Sequence, residues 1–329
     1  MKRLPRRFHF AVAALLVACC DIAGAQWKPE RPVEIIVTAA EGGNQDLTAR
    51  LIQGIWQTRK IVYPVVITNK PGGGGAIAAS YLTQHVRDSH YLMMLAPTLL
   101  TSRIMGTTTF HYGDFTPLAM LFNEYIFVSV KADSPIKTGR DMIQRLKQSP
   151  DSLSVAIATA IGNHIHMGVA LPMKAAGVDI KRMKVVAFKS SAQSLTAVLG
   201  GHVDAAASTF AALLPYVSAG SLRIVGMSAA QRMPGSLANI PTWKEQGANA
   251  VFDSWRGVAG AKDLNEAQVK YWDAAFAALS QSDEWKADAE KNFNVIHYLN
   301  AGDTRRYWDE QYKELEAALT ELGLAKRAK

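Results

Sequence analysis

Residues 33–46 constrain the fold of this chain more than any other stretch. Val33 to Val37 is an apolar run rich in β-branched residues and bounded by Pro32, which predicts a buried strand. The loop Ala39-Ala40-Glu41-Gly42-Gly43-Asn44-Gln45-Asp46 follows, and Leu47, Leu51, Ile52, Ile55 and Trp56 then recur at helical spacing. Asn44 suits the N-cap, and Asp46 falls in the first turn, where negative charge is favoured. Glycines let such a loop fold tightly over a helix N-terminus, whose unpaired N–H groups and positive dipole end attract anions. A second unit of this kind comes later. Strand Leu153 to Ala158 leads into Thr159-Ala160-Ile161-Gly162-Asn163-His164 and then a helix carrying Ile165, Val169 and Ala170. Thr159 offers a hydroxyl there, Asn163 an amide, and the main chain from Gly162 onward further donors. Pro172 predicts a kink or an early end near Leu171. Either loop alone reads equally as a plain βα turn; two of them facing each other form a ligand clamp.

Strands and helices alternate through the rest of the chain, as an α/β fold requires. Val62–Thr68, Tyr91–Ala96, Tyr125–Val130, Val185–Phe188, Val203–Ala207 and Leu222–Met227 read as strands. Ala76–Val86, Arg140–Lys147, Ala192–Leu199, Glu266–Leu279 and Tyr307–Leu322 read as helices. The polar segment Lys131–Gly139 reads as a crossing between two lobes. Trp272, Phe276 and Leu279 share one helix face and are assigned to the core.

The first residues stand apart from the fold. Lys2, Arg3, Arg6 and Arg7 precede an apolar stretch, Phe8 to Cys20, and a small-residue signal, Ala23-Gly24-Ala25. This predicts a secretory signal peptide over residues 1–25, too short in its apolar part to span a bilayer. Leu16-Val17-Ala18-Cys19 also reads as a lipobox, which would leave Cys19 lipidated. Either route takes the protein out of the cytoplasm. Both cysteines, Cys19 and Cys20, lie in this segment, so cleavage after Ala25 leaves a chain without cysteine chemistry. The same cleavage removes four basic residues and Asp21, lowering the formal charge from +8 to +5. That surplus is spread without a dense basic patch, and the nucleic-acid reading is set aside.

Catalytic and cofactor motifs are missing from the sequence. Gly72-Gly73-Gly74-Gly75 lacks the Gly-Lys-Ser/Thr ending of a phosphate loop and reads as a turn permitting close backbone approach. His164 and His166, two apart, point to different helix faces and do not make a metal pair. No catalytic residue, metal or cofactor is expected, and the chain does not read as an enzyme.

Seven segments in order resemble one family, the periplasmic substrate-binding receptors of tripartite tricarboxylate transporters, often called Bug receptors. They are Trp27–Val37, Glu41–Arg50, Val65–Gly75, Phe188-Lys189-Ser190-Ser191, Leu199–Asp204, Ile240–Gly247 and Ser254-Trp255-Arg256-Gly257. The resemblance implies a two-lobed, type II periplasmic-binding-protein (Venus-flytrap) fold. Lobe 1 would comprise 26–128 plus 252–329 and lobe 2 129–251, hinged near Ser129–Asp133 and Ala250–Trp255. It implies a monomer that binds a small organic carboxylate and hands it to the membrane permease subunits of a tripartite transporter. A receptor reporting to a signalling partner and an exported enzyme using the same cleft are the alternatives.

Carried onto this chain, the resemblance assigns ligand-binding roles to Gly42, Gly43, Asn44 and Asp46 in the first loop and to Thr159, Gly162, Asn163 and His164 in the second. It adds Phe188, Ser190, Ser191 and Asp204 near the cleft in the other lobe, and Ala96 and Thr98 as wall residues. Trp255 either touches the cleft or packs inside. Two departures matter. Where the family usually has prolines and glycines, this chain has Thr38-Ala39-Ala40-Glu41, and Asn163-His164-Ile165 replaces small hydroxyl residues. Glu41 would oppose a carboxylate by like-charge repulsion, so it either faces a cationic part of the ligand or serves the loop. These departures put the usual C4 to C6 dicarboxylate assignment in doubt.

Overall fold

A computed structural model describes residues 27–326; the expected signal peptide and Cys19 lie outside the described residues. The first elements are β1 (Val33–Val37), α1 (Asn44–Thr58), β2 (Val65–Asn69), α2 (Ala76–Leu82), β3 (Tyr91–Leu95), α3 (Pro97–Ile104) and β4 (Thr116–Tyr125). β5 (Phe127–Lys131), α4 (Gly139–Gln148), β6 (Ser154–Ala158), α5 (His164–Ala175), β7 (Lys184–Phe188) and α6 (Ser191–Leu199) follow. After them come β8 (Ala205–Ser208), α7 (Phe210–Ser218) and β9 (Leu222–Met227), then β10 (Asp253–Gly260), α8 (Glu266–Gln281), α9 (Asp283–Asn292), β11 (Val295–Leu299) and α10 (Ala301–Glu321).

The strands form two sheets, ordered β11-β4-β10-β3-β1-β2 and β7-β6-β8-β5-β9. β1 runs parallel to β2 and β3, and β6 runs parallel to β7 and β8. In each sheet the strand arriving from the other sheet runs against its neighbours: β10 against β3 and β4, β5 against β8 and β9. The fold is the α/β, periplasmic-binding-protein type that the resemblance implied.

The crossing expected at Lys131–Gly139 lies earlier. The chain passes from the first sheet to the second at Ile126, and residues 132–138 connect β5 to α4. It returns between β9 and β10, residues 228–252. Ser228 ties the two passages together. Its N–H donates to Ile126 O at 2.9 Å while Ile126 N–H donates to Ser228 Oγ at 3.0 Å. Ser228 Oγ donates to Phe252 O at 2.7 Å, and Phe252 N–H returns to Ser228 O at 3.0 Å. Ser228 is fully buried, so Ser228→Ala leaves an N–H and a C=O without their side-chain partner. We expect a loss of about 2–3 kcal/mol, measured by denaturant unfolding.

α5 also differs from expectation. It runs through Pro172 to Ala175, with Ala176 N–H donating to Pro172 O at 3.0 Å. Burial of Met167, Val169, Ala170 and Met173 holds the helix across a residue that costs about 3 kcal/mol in a helix interior. Trp272, Phe276 and Leu279 pack fully buried with Trp56 against the first sheet.

Candidate functional site

The loops at the C-terminal ends of β1, β2, β3, β6 and β7 meet at one cavity of about 340 Å³. Open α/β sheets place their binding crevices at these strand ends. Thr38–Ala40 and Gly43–Gln45 form one wall, Pro71–Gly75 and Thr98 a second, and Ala158, Thr159, His164 and Ile165 a third. Lys189–Ser191 and Arg256 complete the lining. Asn44, His164 and Ser191, the first residues of α1, α5 and α6, and Thr98, the second of α3, all line it, so four helices present first-turn residues here.

The first loop is shaped by Asp46, which is buried below the lining. Its carboxylate accepts from Gly42 N–H at 2.9 Å and Asn69 Nδ2 at 3.0 Å, and it pairs with Arg50 Nε at 2.9 Å. Val37 and Asn69 are register partners at the ends of β1 and β2, so these bonds anchor the loop to both strands. Asn69 Nδ2 also donates to Ala39 O at 3.1 Å. Burial opposes ionisation of Asp46, but Arg50, Gly42 and Asn69 outweigh it and hold the carboxyl below its ordinary range. Asp46→Asn should therefore cost about 1–3 kcal/mol at pH 7. With the folded pKa lowered, this stability is present above the unfolded value of about 4 and fades as pH falls through the folded one. Unfolding titrations at pH 7 and pH 3 should show the gap between wild type and variant shrinking at the lower pH.

Asn44 does not cap α1. Gly43 is the cap, and the Asn44 amide reaches inward to donate to Glu124 Oε2 at 2.5 Å. Glu41 and Gly42 are exposed and off the cavity wall. The glycine run approaches α3 closely. Gly72 to Gly75 all have positive φ, and a Cβ on Gly74 would stand 2.2 Å from Ser102 Oγ.

In the second loop, Asn163 Oδ1 accepts from His166 N–H at 2.9 Å, and Nδ2 donates to Ala158 O at 2.5 Å and Thr159 Oγ1 at 2.7 Å. Its donors are thus engaged within the loop. Gly162 N–H donates to His166 Nδ1 at 2.9 Å, and burial pushes the pKa of His166 down to about 4. His164 faces the cavity instead. Its Nδ1 lies 2.8 Å from Thr98 Oγ1, a contact between the N-termini of α5 and α3, which follow strands of the two different sheets. Burial, and then the charge of Arg256, hold His164 well below the ordinary histidine pKa, so it is neutral.

Of the residues assigned from sequence, the cavity wall brings together Gly43, Asn44, Thr98, Thr159, His164, Ser190 and Ser191. Ser190 Oγ also caps α6, accepting from Gln193 N–H at 3.3 Å. Glu41, Gly42, Asp46, Ala96, Gly162, Asn163, Phe188, Asp204 and Trp255 stand off the lining. Ala96 is buried at the N-cap of α3, and Phe188 packs on the cluster of Leu195 and Phe210. Asp204 precedes β8, at the opposite end of the sheet, where its carboxylate accepts from Ser154 N–H at 2.8 Å and Ser154 Oγ at 2.6 Å. Trp255 is fully buried, stacked on Trp308 with ring centroids 5.7 Å apart.

Arg256 and Lys189, both on the cavity wall, were not assigned to the site from sequence, and Arg256 is the buried one of the two. Side chains alternate along β10, so Trp255 turned to the core sends Arg256 to the other face, toward the cavity. Its guanidinium Nη2 pairs with Glu124 Oε1, and Nη1 donates to Trp255 O at 3.0 Å. Arg256 lies opposite Phe122 in the ladder, so Glu124, two residues on, is its diagonal neighbour on the same face. Both are 2% exposed. Burial pushes the Glu124 carboxyl up, opposed by the guanidinium beside it. Among the described lining residues, Arg256 and Lys189 are cations and none is a carboxylate. No group of three or more His, Cys, Asp or Glu able to hold a metal occurs among the described residues.

The chain is 29% identical over 324 residues to the UPF0065 protein in the gbd 5' region of Cupriavidus necator, covering 96% of this chain and 95% of that protein. It is 25% identical over 260 residues to BugT of Bordetella pertussis, covering 77% and 78%. Among solved structures, an R. palustris protein with adipate is similar at a TM-score of 0.82 and 26% identity, over 90% of this chain and 99% of that one. The periplasmic binding protein BugD matches with a TM-score of 0.82 at 20% identity, over 91% and 100%. Residues 49–324 match the family described as tripartite tricarboxylate transporter family receptor. The chain belongs to that receptor family, and its family and fold are those of substrate-binding receptors, not of enzymes.

Proposed function

We propose that this protein is an exported receptor that closes over one small organic carboxylate in the cavity between its two sheets and delivers it to a tripartite permease. The observation that carries the reading is the lining itself: first-turn residues of four helices and two cations with no carboxylate among them. Helix N-termini supply free N–H groups and favour negative charge, and at about 340 Å³ the cavity is of ligand size. The structural relative with adipate supports a carboxylate as the class. The two sheets act as the cores of two lobes, and ligand favours the closed arrangement by rotation at Ile126 and residues 228–252. Export through the leader and work as a monomer outside the cytoplasm belong to the same proposal; among the described residues no helix is long and apolar enough to cross a membrane.

Within this reading Glu41 is a loop residue whose charge favours Arg50, and Glu41→Gly leaves ligand preference unchanged. A thermal-shift screen of residues 26–329 against mono-, di- and tricarboxylates, amino acids and aromatic acids tests the proposal. A carboxylate at one hundred times its Kd adds about 2.7 kcal/mol of stability. A response confined to cationic or neutral compounds would overturn it.

A further inference from the structure

α9 ends on a residue that its geometry does not favour. Phe293 N–H donates to Glu290 O at 3.3 Å and Asn294 N–H to Ala289 O at 2.9 Å, the paired bonds of a Schellman helix end. That closure needs a left-handed residue, and Phe293 supplies it with φ 56° and ψ 36°. Glycine is the usual occupant, because a bulky side chain is strained in that conformation. Among the described residues, five besides glycine have positive φ, and Phe293 is the one aromatic of the five.

The ring accounts for the choice. α9 packs on the first sheet, with Trp285 and Phe122 ring centroids 5.8 Å apart, and Phe293 leads into β11 of that sheet. Its ring, however, stands edge-on to Phe210 at 5.0 Å. Phe210 is the first residue of α7, on the second sheet, and Phe293 packs against that sheet's core cluster. Phe210 in turn lies against Phe127, the residue after the crossing at Ile126. A Cβ on Gly235, in the returning passage, would stand 3.7 Å from the Phe293 ring. A half-buried side chain of the first sheet is thus seated on the second, beside both passages between them. The two sheets also touch at the cavity in this arrangement, which is therefore the closed one. Thr98 Oγ1 meets His164 Nδ1 at 2.8 Å, and Met105 Sδ leaves no room for a Cβ on Gly162.

We propose that Phe293 is a wedge that favours the closed arrangement, so that a positioning residue off the cavity wall sets part of the ligand affinity. The inference rests on the receptor reading and adds a conformational control to it. Rotation at Ile126 and residues 228–252 shifts Phe210 and Gly235 relative to a ring that α9 and β11 hold in place. The contact belongs to one end of that motion, and a ligand that binds the closed state gains from it.

The test compares Phe293→Gly and Phe293→Asn with Phe293→Tyr in residues 26–329. Glycine and asparagine suit the left-handed backbone and keep the helix end while removing the ring; tyrosine keeps the ring. Small-angle X-ray scattering of the ligand-free proteins should give the two ringless variants a larger radius of gyration than wild type. They should also bind the strongest carboxylate of the screen about 5- to 30-fold more weakly, the worth of one aromatic contact, with the tyrosine variant within about twofold of wild type. A purely structural phenylalanine would instead lower the denaturant midpoint and leave radius and Kd alone. A folded glycine or asparagine variant with both the wild-type radius and the wild-type Kd overturns the wedge and leaves the receptor reading intact. Should no carboxylate bind wild type, the receptor reading falls, and the radius alone decides the wedge.

Discussion

Replacing Glu124 by alanine is expected to cost about 3–5 kcal/mol of folding stability. The reason is the partner left behind. Arg256 is 2% exposed, and a guanidinium does not release its proton in proteins, so the charge stays buried without its counter-ion. Asn44 loses its acceptor at the same time. Arg256→Met should cost less, since Glu124, already pushed up by burial, can take a proton once the cation is gone. The sign of its pH dependence follows. A carboxyl whose folded pKa is raised gives its full stability below the unfolded value of about 4.3 and loses it as pH rises through the folded one. The Arg256→Met variant should therefore weaken from acid toward neutral pH. Denaturant unfolding with unchanged m-values reads both effects.

Trp255→Ala is expected to cost about 3–5 kcal/mol as well, for an unrelated reason. The indole is fully buried, stacked on Trp308, with Tyr307 edge-on at 6.4 Å. Truncation opens a cavity in the core beneath the sheet, on the face away from the ligand cavity. Ligand selectivity should stay unchanged in the folded fraction, measured as the Kd ratio between two carboxylates at a temperature well below the lowered Tm. A changed ratio with unchanged stability would place Trp255 at the ligand instead.

The sequence reading and the structure agree where periodicity has a clear phase. β1 and α1 stand where an apolar run and helical spacing put them, and Trp272, Phe276 and Leu279 are in the core. β4, β10 and β11 escaped notice. β10 is buried along both faces, so Ser254 to Gly260 shows no alternation to read. For the same reason Trp255 and Arg256 could not be told apart: strand period sends them to opposite faces, but nothing local says which face is the cavity. Asn44 misled because an N-cap residue type one position inside the helix has its amide free for a tertiary partner, here Glu124, eighty residues away. Asp204 misled through motif position alone; it lies at the strand end opposite the loops. Asp46 and Asn163 have the residue types of ligand contacts, yet their side chains are engaged by protein groups: Gly42, Arg50 and Asn69 at Asp46, and Ala158, Thr159 and His166 at Asn163. The glycine run was legible as a close backbone approach, and Ser102 is what it approaches.

The measurement that bears most directly on the central claim is calorimetric titration of residues 26–329 with the strongest carboxylate from the screen, run beside Ala40→Trp. Ala40 lines the cavity, and an indole there occupies the ligand's space while leaving the core untouched. One ligand per chain should bind to wild type, and binding should vanish in a variant whose ligand-free Tm is unchanged. Equal affinity in the two proteins would place the ligand elsewhere and contradict the account.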